Sequence, residues 1–345
     1  MTRWYRYLLT PVHAAMVASG AKSFRDNPVI GSASLNRRGL HLMRRDIAWR
    51  MGLRRRAQLA SLISAEDRAA FERDGFLLKR NFLDPATFEA LRQEIYHLDT
   101  DAREAVIGDT LTRLIPLDAP TLRRLPATRR VFEGAVFRNL LAYVGSFKRR
   151  PHLFVQTVFS RVRENAPPDV QSFFHSDTFH PTVKAWFYLE DVATNPLTYV
   201  PGSHVANRRR LAWERRVSIT AADSPEPLTA EGSLRVSDAE IRRMGYPEPL
   251  ALQVGANTLI VADTSGFHKR AASATQTMRV SIWAYSRSNP FLPWVGGDLA
   301  AAPFIRARAV RLFWMAQDGL KWLRRAKGGW RWVGHRTPLT PAAKT

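Results

Sequence analysis

The chain contains no cysteine, which excludes disulfides and every thiolate metal site. A metal ion held by this sequence must therefore take imidazole and carboxylate ligands, a set suited to iron, manganese or zinc. Long apolar runs are also missing, since none approaches the roughly 20 residues that a membrane-spanning helix needs. The stretch Leu8 to Ala18 faintly resembles a signal-peptide core, but Pro11 and His13 interrupt it, so a cytoplasmic location is expected. There is no internal repeat and no low-complexity tract. Acidic residues are scarce: 30 stand against 52 Lys and Arg, for a formal net charge of +22 over 345 residues.

That charge is unevenly placed. Residues 1–60 hold twelve Lys/Arg against two acids, and residues 303–345 hold ten against one. The intervening 61–302 is nearly balanced, with thirty against twenty-seven. The pattern predicts three parts: a basic helical N-terminal arm (1–60), a catalytic domain (61–302) and a basic aromatic C-terminal segment (303–345). In the first arm Trp4, Tyr5, Tyr7, Leu8 and Leu9 surround Arg3 and Arg6, and Leu40, Met43, Ile47 and Met51 recur at helical spacing among arginines. In the last, Ile305, Ala309, Leu312, Ala316, Leu320 and Leu323 form a second stripe near Trp314, Trp322, Trp330 and Trp332. Basic helices with an apolar side read as interfacial segments, so an anionic membrane surface is the favoured partner of the arms and nucleic acid the disfavoured one. The competing reading packs these stripes on the core and leaves the arginines solvated.

Along the centre, Ser64-Ala65-Glu66-Asp67 has the form of a capping box and opens a helix towards Asp74-Gly75. A short strand is expected from Gly75 to Leu83, a helix from Asp84-Pro85 through Tyr96, and patchy helix to about Tyr143. From Leu153 the period changes to short β-branched and aromatic runs: 153–159, 183–189, 197–200, 250–254, 258–262 and 278–285. Strands at that spacing predict a mainly β core of sandwich or jelly-roll type. Ala206 to Gly245 interrupts them as a polar insertion, read as a lid, a binding loop or a surface excursion.

The chemistry concentrates at His175-Ser176-Asp177, at His268 about ninety residues later, and at Arg279. On an extended strand, residues two apart point to one face, so His175 and Asp177 can offer two adjacent ligands. With His268 they make the two-histidine, one-carboxylate facial triad of non-haem Fe(II) oxygenases, which leaves metal positions open. Arg279, eleven residues past the last ligand, lies where a returning strand would clamp the far carboxylate of 2-oxoglutarate.

The central chain resembles the phytanoyl-CoA dioxygenase family of Fe(II)/2-oxoglutarate oxygenases over roughly residues 64–290. The resemblance is carried by Phe71-Glu72-Arg73-Asp74-Gly75-Phe76, by Leu189-Glu190-Asp191-Val192 with Pro196-Leu197, and by Pro201-Gly202-Ser203-His204. It implies a double-stranded β-helix (cupin-like) with flanking α-helices, iron on His175, Asp177 and His268, and Arg279 on the distal carboxylate of 2-oxoglutarate. It also implies Trp186 and Gln156 beside the cosubstrate, and O2 as the second cosubstrate. Because the carboxylate that related halogenases lose is retained as Asp177, the resemblance implies hydroxylation. Two positions depart from the family. Arg270 stands where relatives carry a small hydroxyl residue, and Thr194-Asn195-Pro196-Leu197 lacks the usual glycine of that turn.

Other residues carry plainer readings. His180 is expected to line the pocket or support it, and His204 to hold its turn. Phe173, Phe174, Phe179 and Tyr199 are core or pocket aromatics. Lys184, Lys269, Arg270 and Arg208 to Arg210 either grip an anionic substrate or form solvated faces. The expected function is a hydroxylase acting on a small-molecule or lipid-linked substrate: an acyl chain, a lipid headgroup or a lipopolysaccharide sugar such as Kdo. The rivals are a cupin-like metal enzyme that does not use 2-oxoglutarate, and a catalytically idle docking protein.

Overall fold

In the computed structural model, which describes residues 10–163, 165–297, 310–312, 314–319 and 329–342, the centre of the molecule is two antiparallel sheets. The strands are β1 (Phe76–Lys79), β2 (Thr100–Ile107), β3 (Thr110–Pro116), β4 (His152–Ser160), β5 (Val183–Tyr188), β6 (Leu197–Tyr199), β7 (Leu250–Ala251), β8 (Thr258–Asp263), β9 (His268–Arg270), β10 (Thr277–Ser286) and β11 (Arg331–Arg336). The large sheet runs β1-β8-β5-β10-β4-β3-β2-β11, and the small sheet β7-β6-β9. This is the expected double-stranded β-helix with flanking helices.

Alternation along the strands sorts the side chains. On β5, Val183, Ala185 and Phe187 join the core under the helices, while Trp186 and Tyr188 turn inward with Ile260 of β8. On β10, Val280, Ile282 and Ala284 face the helices, which leaves Arg279, Ser281 and Trp283 on the inner face. Register aligns Ser281 with Tyr188 on one side and Gln156 on the other. The inner surface of three neighbouring strands is thus set by period-two patterning alone.

Two segments differ from expectation. The region after Tyr96, read as patchy helix, contains the hairpin β2–β3, whose turn holds Gly108 at φ +59°. Ala, Arg and Glu in β2 favour helix locally, but pairing of β3 along β4 outweighs that weak preference. The insertion is also more ordered than a loop. It folds into helices Arg208–Thr220, Pro227–Ala230 and Asp238–Met244, and shares a second core with Phe24, Ile30, Phe174 and Phe267.

The helix Leu40–Leu59 has its polarity reversed. Its buried side is His41, Arg44, Arg45, Ala48, Gly52, Arg55, Arg56 and Leu59, whereas Met43 and Ile47 of the apolar stripe are exposed. For Arg44, Arg45, Arg55 and Arg56 the reading of solvated arginines fails, because carbonyls and carboxylates inside replace water around these guanidinium groups. Arg44 donates to the carbonyls of Val17, Ser19 and Ala21 at 2.9, 3.0 and 2.6 Å. Arg56 donates to Val144 O at 2.7 Å and pairs with Asp263 at 2.8 Å. Gly52 permits the close approach, since a Cβ there would meet Pro181 Cγ at 2.9 Å.

Glu214 of the insertion completes the contact. It lies 3.1 Å from His41, 2.9 Å from Arg45 and 2.8 Å from Arg210. Arg210 is thereby fully buried, and cannot take the substrate-gripping role considered for the Arg208–Arg210 run. In the C-terminal segment Trp314 packs on Leu114 and Phe154, while Leu312 and Trp332 are exposed. Trp4, Tyr5, Tyr7, Leu8, Leu9, Arg3, Arg6, Ile305, Ala309, Leu320, Leu323 and Trp322 lie outside the described residues. Among those described, no helix is long and apolar enough to cross a membrane.

Candidate active site

His175 does not sit in one of the long strands. It forms isolated bridges to Arg235 and to His268, with His175 N–H donating to His268 O and the reverse bond also made, each at 3.0 Å. This mutual pairing places the two imidazoles side by side, 4.4 Å between ring centres. Two residues on, Asp177 N–H donates to Thr264 O at 2.9 Å and the carboxylate turns to the same side. The same-face expectation for His175 and Asp177 thus holds in effect, on a bridged turn rather than a regular strand.

Each imidazole is anchored by Nδ1: His175 to Phe173 O at 2.9 Å and His268 to Gly266 O at 3.0 Å. Both Nε2 atoms therefore face Asp177, at 3.8 Å from Oδ1 and 3.9 Å from Oδ2. Anchoring one ring nitrogen to a carbonyl fixes the tautomer that leaves the other as a ligand. Potential ligand atoms of the three residues lie within 4.8 Å of one another, the only such buried group among the described residues. His175 Nε2 is buried without a hydrogen-bond partner, a costly arrangement unless something else satisfies it. These donors fit a metal ion.

The electrostatics agree. Burial lowers both histidines, holding them as the neutral imidazoles a metal requires. For Asp177 burial works in the opposite direction, yet the Lys184 ammonium and the adjoining histidines hold its carboxyl well below the usual range. Lys184 Nζ lies 2.7 Å from Oδ2.

A cavity of about 240 Å³ opens from this cluster, lined by Gln156, Lys184, Trp186, Tyr188, Arg279 and Trp283 among others. Arg279, Trp186 and Gln156 are therefore brought together with His175 and His268. Arg279 is buried, its guanidinium 5.6 Å from the Tyr188 ring and its NH1 3.0 Å from Asn195 Oδ1. Its Nε has no partner. The turn without glycine is explained at the same point. Asn195 adopts φ +46°, a left-handed conformation that asparagine tolerates better than most residues. Arg270 pairs with Asp169. Burial and the nearby Arg279 lower its guanidinium to about 9.

Sequence reading missed several residues here. Tyr188 and Ser281 follow Trp186 and Arg279 at strand period, so parity alone marks them; Ser281 Oγ is buried and unpartnered. Trp330 reaches the cavity from beyond the domain, and Lys22 donates to Asp177 O at 2.7 Å from the N-terminal segment. No local pattern announces either. His180 and His204 are buried outside the metal cluster, His180 against Pro181 O at 2.9 Å and His204 at 5.1 Å from the Phe71 ring. Phe173 is exposed, Phe174 and Tyr199 are core, and Lys269 Nζ lies over the Phe174 ring at 4.1 Å.

Two neutral imidazoles and a carboxylate converging inside a double-stranded β-helix form the donor set of the two-histidine, one-carboxylate facial triad found in non-haem Fe(II) oxygenases. Residues 71–234 match the family described as Phytanoyl-CoA dioxygenase (PhyH). The match includes His175 and Asp177; His268 and Arg279 lie beyond it. Among solved structures, the non-heme alpha ketoglutarate dependent epimerase SnoN from nogalamycin biosynthesis is 19% identical, covering 66% of this chain and 82% of its own, with a TM-score of 0.41. HygX from Streptomyces hygroscopicus with nickel and 2-oxoglutarate bound is 20% identical, covering 69% and 92%, at 0.40. EctD from S. alaskensis with bound Fe is 16% identical, covering 72% and 84%, at 0.39. No protein of curated function matches the chain.

Proposed function

We propose that the chain is a hydroxylase in which His175, Asp177 and His268 hold Fe(II), and Arg279 holds the distal carboxylate of 2-oxoglutarate. The observation that carries this is the convergence of ligand atoms from His175, Asp177 and His268 within 4.8 Å, with His175 Nε2 buried and unpartnered, beside a cavity walled by Arg279. When bound with 2-oxoglutarate and O2, the iron supplies the oxidising power that puts one oxygen atom into substrate and the other into succinate, with loss of CO2. The protein's own part is to orient and to exclude water. Arg279 offers a planar fork to a carboxylate, Ser281 Oγ is a free hydroxyl on the same strand face, and Trp186, Tyr188 and Trp283 keep the wall dry. Gln156 is the polar neighbour on β4. The retained Asp177 favours hydroxylation over halogenation. The purified protein should form succinate from 2-oxoglutarate only when Fe(II) is added. Lipids and lipopolysaccharide from cells expressing it should contain species heavier by one oxygen. Absence of Fe(II)-dependent 2-oxoglutarate binding would sink the reading and favour a cupin without that cosubstrate or a docking protein.

The exposed stripe of the Leu40–Leu59 helix supports a lipid-linked substrate met on the cytoplasmic face of a membrane. Met43, Ile47 and Leu53 are 52%, 39% and 48% exposed, with Arg50 and Arg54 solvated beside them. Apolar and cationic groups on one exposed helix face suit an anionic headgroup layer. The division of labour proposed is docking by 1–60, chemistry by 61–302, and closure of the cavity mouth by Trp330 of the 303–345 segment. The protein should float with phosphatidylglycerol-containing vesicles and not with phosphatidylcholine alone. Met43→Glu with Ile47→Glu should abolish flotation while leaving 2-oxoglutarate binding intact. Flotation unchanged by the pair would refute the docking role.

A further inference from the structure

Charge bookkeeping in the loaded cavity leaves one cation only partly answered. With Fe(II) and 2-oxoglutarate bound as proposed, the charge on the metal would be balanced by Asp177 and one carboxylate of 2-oxoglutarate. Arg279 would be balanced by the distal carboxylate. Arg270 is balanced by Asp169, itself buried. Lys269 turns away over Phe174. Lys184 is matched only by Asp177, which the metal would share. Its inward position follows from strand parity with Trp186 and Tyr188 on β5, and its side chain is 22% exposed on the cavity wall. Its Nζ pairs with Asp177 Oδ2 at 2.7 Å, a carboxylate whose charge a bound metal would also draw on.

The surroundings increase the surplus. Lys22 Nζ rests on neutral acceptors, Asp177 O and Ser233 Oγ, both at 2.7 Å. Arg235 reaches only as near as 3.9 Å to Glu226, and its NH2 is buried with no partner. A net positive charge beside a partly buried cavity favours the arrival of an anion.

We infer that the primary substrate carries an oxyanion, a carboxylate or a phosphate, which Lys184 takes beside the metal centre. This rests on the proposed function and narrows it: acyl carboxylates and phosphorylated or acidic headgroups fit, and neutral lipids do not. It also gives Lys184 a specificity role for which Lys22 and Arg235 provide the background field. An ammonium on a flexible stem can swing from Asp177 to an incoming anion without moving the triad.

The test uses the full chain loaded anaerobically with Fe(II) and 2-oxoglutarate, titrated calorimetrically with octanoate, n-octyl phosphate and neutral 1-octanol. At least one of the two acids should bind, and 1-octanol at least tenfold more weakly. Lys184→Met should weaken acid binding tenfold or more while Fe(II) and 2-oxoglutarate still bind, and Lys184→Arg should restore it. Which acid binds better separates a carboxylate substrate from a phosphate one. The inference is overturned if neither acid binds, if 1-octanol matches them, or if Lys184→Met binds acids as tightly as the wild type. Loss of Fe(II) from Lys184→Met also overturns it, because the lysine would then act through Asp177 alone. A wild-type protein that fails to bind 2-oxoglutarate takes down the proposed function as well; the other results remove only this inference.

Discussion

Arg279→Ala is expected to weaken 2-oxoglutarate binding by roughly 30-fold or more, because losing one partner of a buried charge pair costs about 2–5 kcal/mol. Fe(II) binding should change little, since Arg279 lies on β10 and all three candidate ligands lie elsewhere. Arg279→Lys should recover only part of the loss. Lysine keeps the charge but cannot present a planar fork to both carboxylate oxygens. Paired titrations of Fe(II) and 2-oxoglutarate into the two variants read this directly. Undiminished 2-oxoglutarate binding by Arg279→Ala would remove Arg279 from the site.

The second large effect concerns stability. Glu214→Leu should destabilise the fold by about 3–5 kcal/mol, because Arg45 and Arg210 would be left buried without their counter-charge. Both arginines and Glu214 are inaccessible to solvent, so water cannot screen the loss. The urea midpoint measures it, and hydrogen exchange across 208–244 should show the insertion opening first. An unchanged midpoint would contradict this account of the cluster.

The same carboxylate gives a pH dependence of definite sign. Burial opposes ionisation of Glu214, but Arg45, Arg210 and His41 outweigh it and hold the carboxyl far below its ordinary 4.5. With the folded value depressed, the unfolded chain takes up the proton first on acidification. The contribution of Glu214 is therefore complete above about pH 4.5 and declines as the pH falls below it. Glu214→Gln should lose the part of the acid sensitivity that this group supplies.

Much of the layout of the candidate site was legible because it depends on local rules. His175 and Asp177 stand two apart, and β4, β5, β8 and β10 lie close to the β-branched and aromatic runs that predicted them. Arg279, Trp186 and Gln156 then follow onto one wall by parity and register. What was hidden depends on partners far along the chain. The β2–β3 hairpin is strand because β4 lies beside it, not because its residues favour strand. Lys22 reaches Asp177 across 155 positions, and Trp330 arrives at the cavity from beyond the domain. The Leu40–Leu59 helix misled most, since its apolar stripe suggested the buried face while its true contact face is mostly guanidinium. Hydropathy alone cannot anticipate carbonyls and carboxylates waiting on the surface opposite.

That reversed helix also restricts how the molecule can assemble. An oily helix face tolerates many seatings, because apolar contact is non-directional. A cationic face does not. A one-residue rotation would detach Arg56 from Asp263 and Arg45 from Glu214, and would carry a side chain into the space that Gly52 leaves for Pro181. Each wrong seating strands several buried charges together, so the competing arrangements are penalised far more than the native one is favoured. The helix works less as an adhesive than as a keyed part that fits one lock.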